Sequence, residues 1–190
     1  MAENWFTHVD RHGSIHYHVS GNEDNILAIR QIIQKPATLL EETCNPVTRF
    51  DEELATLLDD LYETMIDADG VGIAAPQVGV PLRVAIVDLG EGEEPIEMVN
   101  PEVIHTEGES IDIEGCLSIP GLYGEVERPY AIRIQAQERD GTWYELEAED
   151  YEARAILHEI DHLDGILFDT KIIRVVDPSE LEVEEMEENE

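Results

Sequence analysis

The chain reads as an α+β protein, with antiparallel sheets packed around a C-terminal helix and an amphipathic helix nearer the N-terminus. Two patterns predict this. Apolar residues recur at helical spacing between residues 51 and 69 and again after 150, whereas the runs between 83 and 149 are short and strand-like. Strands also precede the late helix without any βαβ alternation, which points to antiparallel pairing. At 190 residues and 42% hydrophobic content, the chain can bury one core of ordinary size.

Taken in order, residues 1–25 are polar, carry His8, His12, His16 and His18, and show little sustained periodicity. They read as an N-terminal extension. His8 and His12 have i, i+4 spacing, which would suit an accessory metal site, but a solvated arm is the simpler reading. A domain is expected over 26–175. Within it, Leu54, Leu57, Leu58, Leu61 and Met65 form one helical face, with Asp51 as N-cap, Glu52 and Glu53 in the first turn and Gly70 as the stop. The glycines and proline of Gly70-Val71-Gly72-Ile73-Ala74-Ala75-Pro76-Gln77 suit a tight irregular segment. Strands are expected over 83–89, 97–104, 131–138 and 143–149, the last two joined at Asp140-Gly141, a hairpin-turn signal. Residues 114–124 read as loop. Asp150 then caps a second helix to about Asp164, with Ile156, Leu157, Ile160 and Leu163 inward and Gly165 ending it. Residues 176–190 form an acidic tail.

Composition excludes several classes of function. Asp, Glu or Arg punctuates every hydrophobic run, so a membrane helix is not expected. The N-terminus lacks the basic start and apolar core of a secretion signal, and a cytoplasmic location with both Cys44 and Cys116 reduced is expected. Forty-five acids against 11 bases give a net charge of −34, which repels nucleic acid and anionic membranes. Eight of those acids lie in Asp177–Glu190, which leaves 37 against 11 bases elsewhere. With only two lysines, Lys35 and Lys171, this surface matches one kept hydrated in concentrated salt, and equally an ordinary acidic protein; a stability series in salt separates the two.

The residues that carry chemistry are His158-Glu159-Ile160-Asp161-His162. Four residues at about 100° each place His158 and His162 on one helix face, one turn apart, where two imidazoles grip one cation. Glu159 then stands beside the ion without occupying a coordination position, as a general base for an attacking water does. A water-activating site wants three protein ligands and an open position. Glu180 or Glu182 lies at the distance that suits thermolysin-like peptidases, but in a polar tail. Cys116, in the loop Glu114-Gly115-Cys116-Leu117-Ser118, is the better third ligand for a soft divalent ion.

These three segments, in this order and spacing, resemble peptide deformylase, of the Bacillus-like branch of type 1, over most of residues 26–175. The resemblance implies a metal-dependent hydrolase that removes the N-formyl group from the initiator methionine of new polypeptides. It makes Cys116, His158 and His162 the metal ligands and Glu159 the base, and turns the Gln77 amide and the Leu117 backbone N–H toward the substrate oxygen. Val71, Gly72 and Gly115 would pair with the extended peptide. The ion implied is Fe²⁺, with Zn²⁺, Ni²⁺ or Co²⁺ as substitutes. The expected partners are N-formylmethionyl peptides of nascent chains and, by a contact that the acidic tail leaves open, the ribosome, with no direct nucleic acid, no membrane and a monomeric enzyme. Three features depart from the family pattern: residues 1–25, Leu157 in place of a frequent glutamine, and an acidic tail where some members carry a basic ribosome-docking helix. A thermolysin-like metallopeptidase and an inactive peptide- or metal-binding module remain the alternatives.

Overall fold

The computed structural model describes residues 28–90 and 94–180, together with the backbone of 6–9 and 15–18. In the N-terminal extension, β1 (Phe6–Val9) and β2 (Ile15–His18) pair antiparallel, with His8 opposite His16. This hairpin is not evident from the sequence pattern, and it sets His8 in a strand, so helical spacing to His12 does not apply; His12 lies outside the described residues.

Helix α1 (Glu52–Asp67) begins where expected. The Asp51 carboxylate accepts from the N–H groups of Glu53 and Leu54 at 3.2 and 3.4 Å, and the apolar stripe from Leu54 to Met65 is buried. The segment after Gly70 is more regular than its glycines suggest: β3 (Gly72–Ala74) pairs with β4 (Val84–Val87), and a 3₁₀ turn follows over Ala75–Val78. All four residues of β4 are buried. Val84 and Ile86 join the cluster that contains the α1 leucines, while Ala85 and Val87 join that of the second helix, which is why this strand is apolar on both faces.

The chain continues through β5 (Ile96–Glu107), β6 (Ser110–Glu114), β7 (Tyr123–Arg128), β8 (Ala131–Gln137), β9 (Trp143–Glu149), α2 (Asp150–Leu163) and β10 (Ile172–Val176). Two antiparallel sheets result, one ordered β3-β4-β5-β8-β9 and the other β10-β7-β6. The second sheet is the part that periodicity does not reveal, because β6 and β10 are short and expose Ile111, Ile173 and Val175, while β7 carries a buried arginine and a glycine on its inward face. The 143–149 strand is found as expected, and the turn before it places Gly141 at φ 88°.

Helix α2 carries the HEIDH motif against the larger sheet. Its start differs from expectation: Glu149 occupies the N-cap position without a side-chain cap, and Asp150 is the first helical residue at φ 54°, its N–H donated to the Tyr130 carbonyl at 2.7 Å. Gly165, at φ 73°, ends the element as predicted. No helix of the described residues is long and apolar enough to cross a membrane.

Candidate active site

The spacing within α2 puts His158 and His162 on one face, their ring centroids 5.1 Å apart and steeply inclined. The loop after β6 delivers Cys116 to them. Its Sγ lies 3.2 Å from His162 Nε2, and one ligand-type atom from each of Cys116, His158 and His162 falls within 4.8 Å of the others. The loop is anchored from behind, since the Ser118 carbonyl accepts from Lys35 N–H at 2.9 Å and the Gln77 carbonyl from Ile33 N–H at 2.7 Å. One extended segment thus ties down both halves of the site. Cys44, the other thiol, is buried elsewhere and its pKa is pushed up to about 11 by that burial.

Glu159 is buried beside this cluster, with Oε2 lacking a hydrogen-bond partner. Burial drives its carboxyl up to about 7, although the His158 and Arg128 charges pull the other way. Room for it exists because residue 72 is glycine: a Cβ there would stand 2.5 Å from Glu159 Oε1. Gln77, 1% exposed, has its amide orientation fixed. Its Oε1 accepts from Ala74 N–H at 2.8 Å, so Nε2 faces Ser118 Oγ at 3.2 Å and Cys116 Sγ at 3.8 Å. Leu117, Val71, Gly72 and Gly115 line the same groove, of about 490 Å³, together with Tyr123 and Tyr151. All nine residues singled out from the sequence are therefore assembled in one place. Glu180 is not: it pairs with Arg174, at 2.9 Å, and Glu182 lies outside the described residues.

What the sequence did not disclose is the support. Glu114, two residues before Cys116, is buried and accepts from His158 Nδ1 at 2.9 Å, from Arg128 Nε and Nη2 at 2.5 and 2.8 Å, and from Arg154 Nη1 at 2.8 Å. Burial would push its carboxyl up, but the Arg128 and His158 hydrogen bonds outweigh this and hold it well below the usual carboxylate range. A carboxylate on Nδ1 fixes the His158 ring and leaves Nε2 for a ligand role. Burial also opposes charge on His158, but the adjoining Cys116 and Glu114 overcome it and raise its pKa to about 10, while burial and the His158 charge keep His162 neutral well below the ordinary range. One legible sign existed: Arg128 falls in register with the inward-facing Gly124 and Val126 of β7, and an inward arginine requires a buried anion.

A divalent ion fits this constellation. The donor set is one thiol and two imidazoles, a borderline-soft combination suited to zinc or ferrous iron. Three side chains able to hold an ion beside an open groove, with a buried carboxylate and the Gln77 amide next to them, are the groups of a metal-assisted hydrolase. The polypeptide deformylase family model matches residues 29–177. Peptide deformylase 1 of Bacillus anthracis is 52% identical over 156 residues, which span 82% of this chain and 100% of that protein. Among solved structures, a peptide deformylase from Legionella pneumophila superimposes with a TM-score of 0.74 at 41% identity, over 82% of this chain and 90% of its own. The Met-Ala-Ser-bound class I type b enzyme from Acinetobacter baumannii gives 0.72 at 32% identity, over 77% and 99%. The chain belongs to the peptide deformylase family, and within it to the Bacillus-like type.

Proposed function

We propose that this chain removes the N-formyl group from the methionine that begins newly made polypeptides, with Cys116, His158 and His162 holding a divalent ion. The observation that carries the reading is the convergence of these three side chains from a loop and one helix face, with the Glu159 carboxylate buried next to them. When bound, the ion supplies Lewis acidity, making a water more acidic and polarising the formyl carbonyl. A thiolate and two imidazoles accept Fe²⁺, Zn²⁺, Ni²⁺ or Co²⁺ alike, and Fe²⁺ is proposed from the family resemblance, with the others as substitutes.

The protein's own groups do the rest. β3 is an edge strand of its sheet, so a formyl-methionyl peptide lies extended against Val71 and Gly72 with Gly115 on its other side, and its chain direction is set by backbone pairing. Gln77 Nε2 and the Leu117 N–H donate to the formyl oxygen as it gains negative charge, each worth roughly 3 kcal/mol by analogy with other oxyanion holes. Glu159 takes a proton from the water that attacks the formyl carbon. It then returns that proton to the amine nitrogen as the C–N bond breaks, releasing formate and a free N-terminal methionine. Burial raises the pKa of this carboxyl, which favours its uptake of the proton.

The substrates make the cytoplasm the site of action, and because every residue named comes from one chain, a monomer suffices. A ribosome-docking role for the acidic tail is not part of the proposal. The test is formate release from formyl-Met-Ala-Ser by protein prepared without oxygen, with Glu159→Ala as the control. Activity in the wild type and a loss of 10²-fold or more in the variant is expected; wild-type protein that binds metal and yields no formate refutes the reading.

A further inference from the structure

The charges around Glu114 do not stop at Arg128. Arg128 also donates from Nη1 to Asp161 Oδ2 at 2.8 Å, and Lys171 Nζ closes on both oxygens of Asp161 at 2.7 and 2.6 Å. Four charges of alternating sign, Lys171, Asp161, Arg128 and Glu114, thus run from the surface to His158 of the cluster. Arg128 is 4% exposed and Arg154 2%, and both point at the single Glu114 carboxylate. Without Asp161 this buried group would carry an excess positive charge next to a site built for a cation. Nor is Asp161 explained by helix stability. It sits in the last turn of α2, where a negative charge opposes the helix dipole, and it caps nothing with its side chain.

We propose that Asp161 is a positioning residue for the metal site, acting through Arg128 and Glu114 on His158. By satisfying one edge of the Arg128 guanidinium and neutralising its excess charge, Asp161 leaves Glu114 with more negative charge to offer His158 Nδ1. That makes His158 the stronger ligand. Lys171, 35% exposed on its side chain, pairs with Asp161 from the solvent side and draws some of its charge away from Arg128, while the Arg128 pair itself keeps Asp161 in place. The two residues therefore influence the cation in opposite directions, although they share the same hydrogen bonds.

This rests on the assignment of Cys116, His158 and His162 as ligands, and the experiment separates the two. Wild type, Asp161→Asn and Lys171→Met are stripped of metal, and Co²⁺ affinity is measured by chelator competition, with the thiolate-to-cobalt absorption as the signature and circular dichroism as the check on folding. A wild type that shows no thiolate-to-cobalt band fails the ligand assignment itself. Given that band, Asp161→Asn is expected to bind Co²⁺ about 10-fold more weakly, and Lys171→Met to bind it as tightly as wild type or up to about 3-fold more tightly. Folded Asp161→Asn with affinity within 2-fold of wild type overturns the proposal. So does weaker binding by Lys171→Met, which is what a merely structural network would give, and this arm decides the matter if Asp161→Asn does not fold.

Discussion

Replacing Gly72 by alanine tests the placement of the base, and because the peptide also lies against Gly72, kcat at saturating substrate rather than KM is the readout. The added Cβ would lie 2.5 Å from Glu159 Oε1 and 3.0 Å from its Cγ and Cδ, where ordinary contact is about 3.5 Å, so something moves by roughly 1 Å. The strand cannot yield, because β3 is paired to β4 and Ile73 and Ala74 are fully buried. The backbone at residue 72 is not left-handed, so alanine adds no strain of its own. The Glu159 carboxylate is what gives way. Displacing a reacting group by about 1 Å lowers rates on the order of 10²-fold, which corresponds to about 2.7 kcal/mol in the barrier. Global stability should change by less than about 1.5 kcal/mol, as only the end of one side chain shifts. The assay is kcat for formate release alongside metal content and the urea midpoint. A Gly72→Ala enzyme with kcat within about 3-fold of wild type would refute the claim that the glycine exists to admit Glu159.

Three further outcomes follow from other parts of the molecule. The Glu114 carboxyl has a folded pKa below that of an unfolded glutamate, about 4.3, so its stabilisation is present above that pH and is lost as pH falls from there toward the folded value. In metal-stripped protein the urea midpoint should drop between about pH 5 and 3, and Glu114→Gln should flatten this slope while losing about 3–5 kcal/mol at neutral pH. Gly165→Ala, at φ 73° and with its Cβ 2.7 Å from the Glu41 carbonyl oxygen, should destabilise by about 2–3 kcal/mol in urea titrations, since backbone faces backbone and neither can withdraw. Each of the ten bases between residues 28 and 180 already has an acid within 4.0 Å, and α1 carries like-charged Asp59–Glu63 and Glu63–Asp67 steps with no base at all. The thermal midpoint should accordingly rise steeply between about 0.05 and about 0.5 M KCl, where the screening length falls roughly 3-fold, and not in sucrose of matched osmolality. A flat salt series would mean that the acidic surface imposes little repulsion.

The sequence by itself determined the two helices, the long hairpin and which residues could carry the chemistry. Helical spacing fixes which side chains share a face, so His158 and His162 could be paired from their positions alone, and the Asp51 cap and Gly165 stop are local backbone requirements. The motif order likewise drew Cys116, Gln77, Leu117 and the three groove residues into one reading. What only the tertiary structure decided is how the site is held. β6, β7 and β10 are too short and too mixed in character to announce themselves, and β3 is hidden among glycines. Because Glu114 meets His158 across 44 residues and Arg128 meets Asp161 across 33, no local rule connects them. Buried ion pairs are chosen by three-dimensional proximity and by the penalty for leaving any one charge alone, and neither is written in the spacing of residues along a chain.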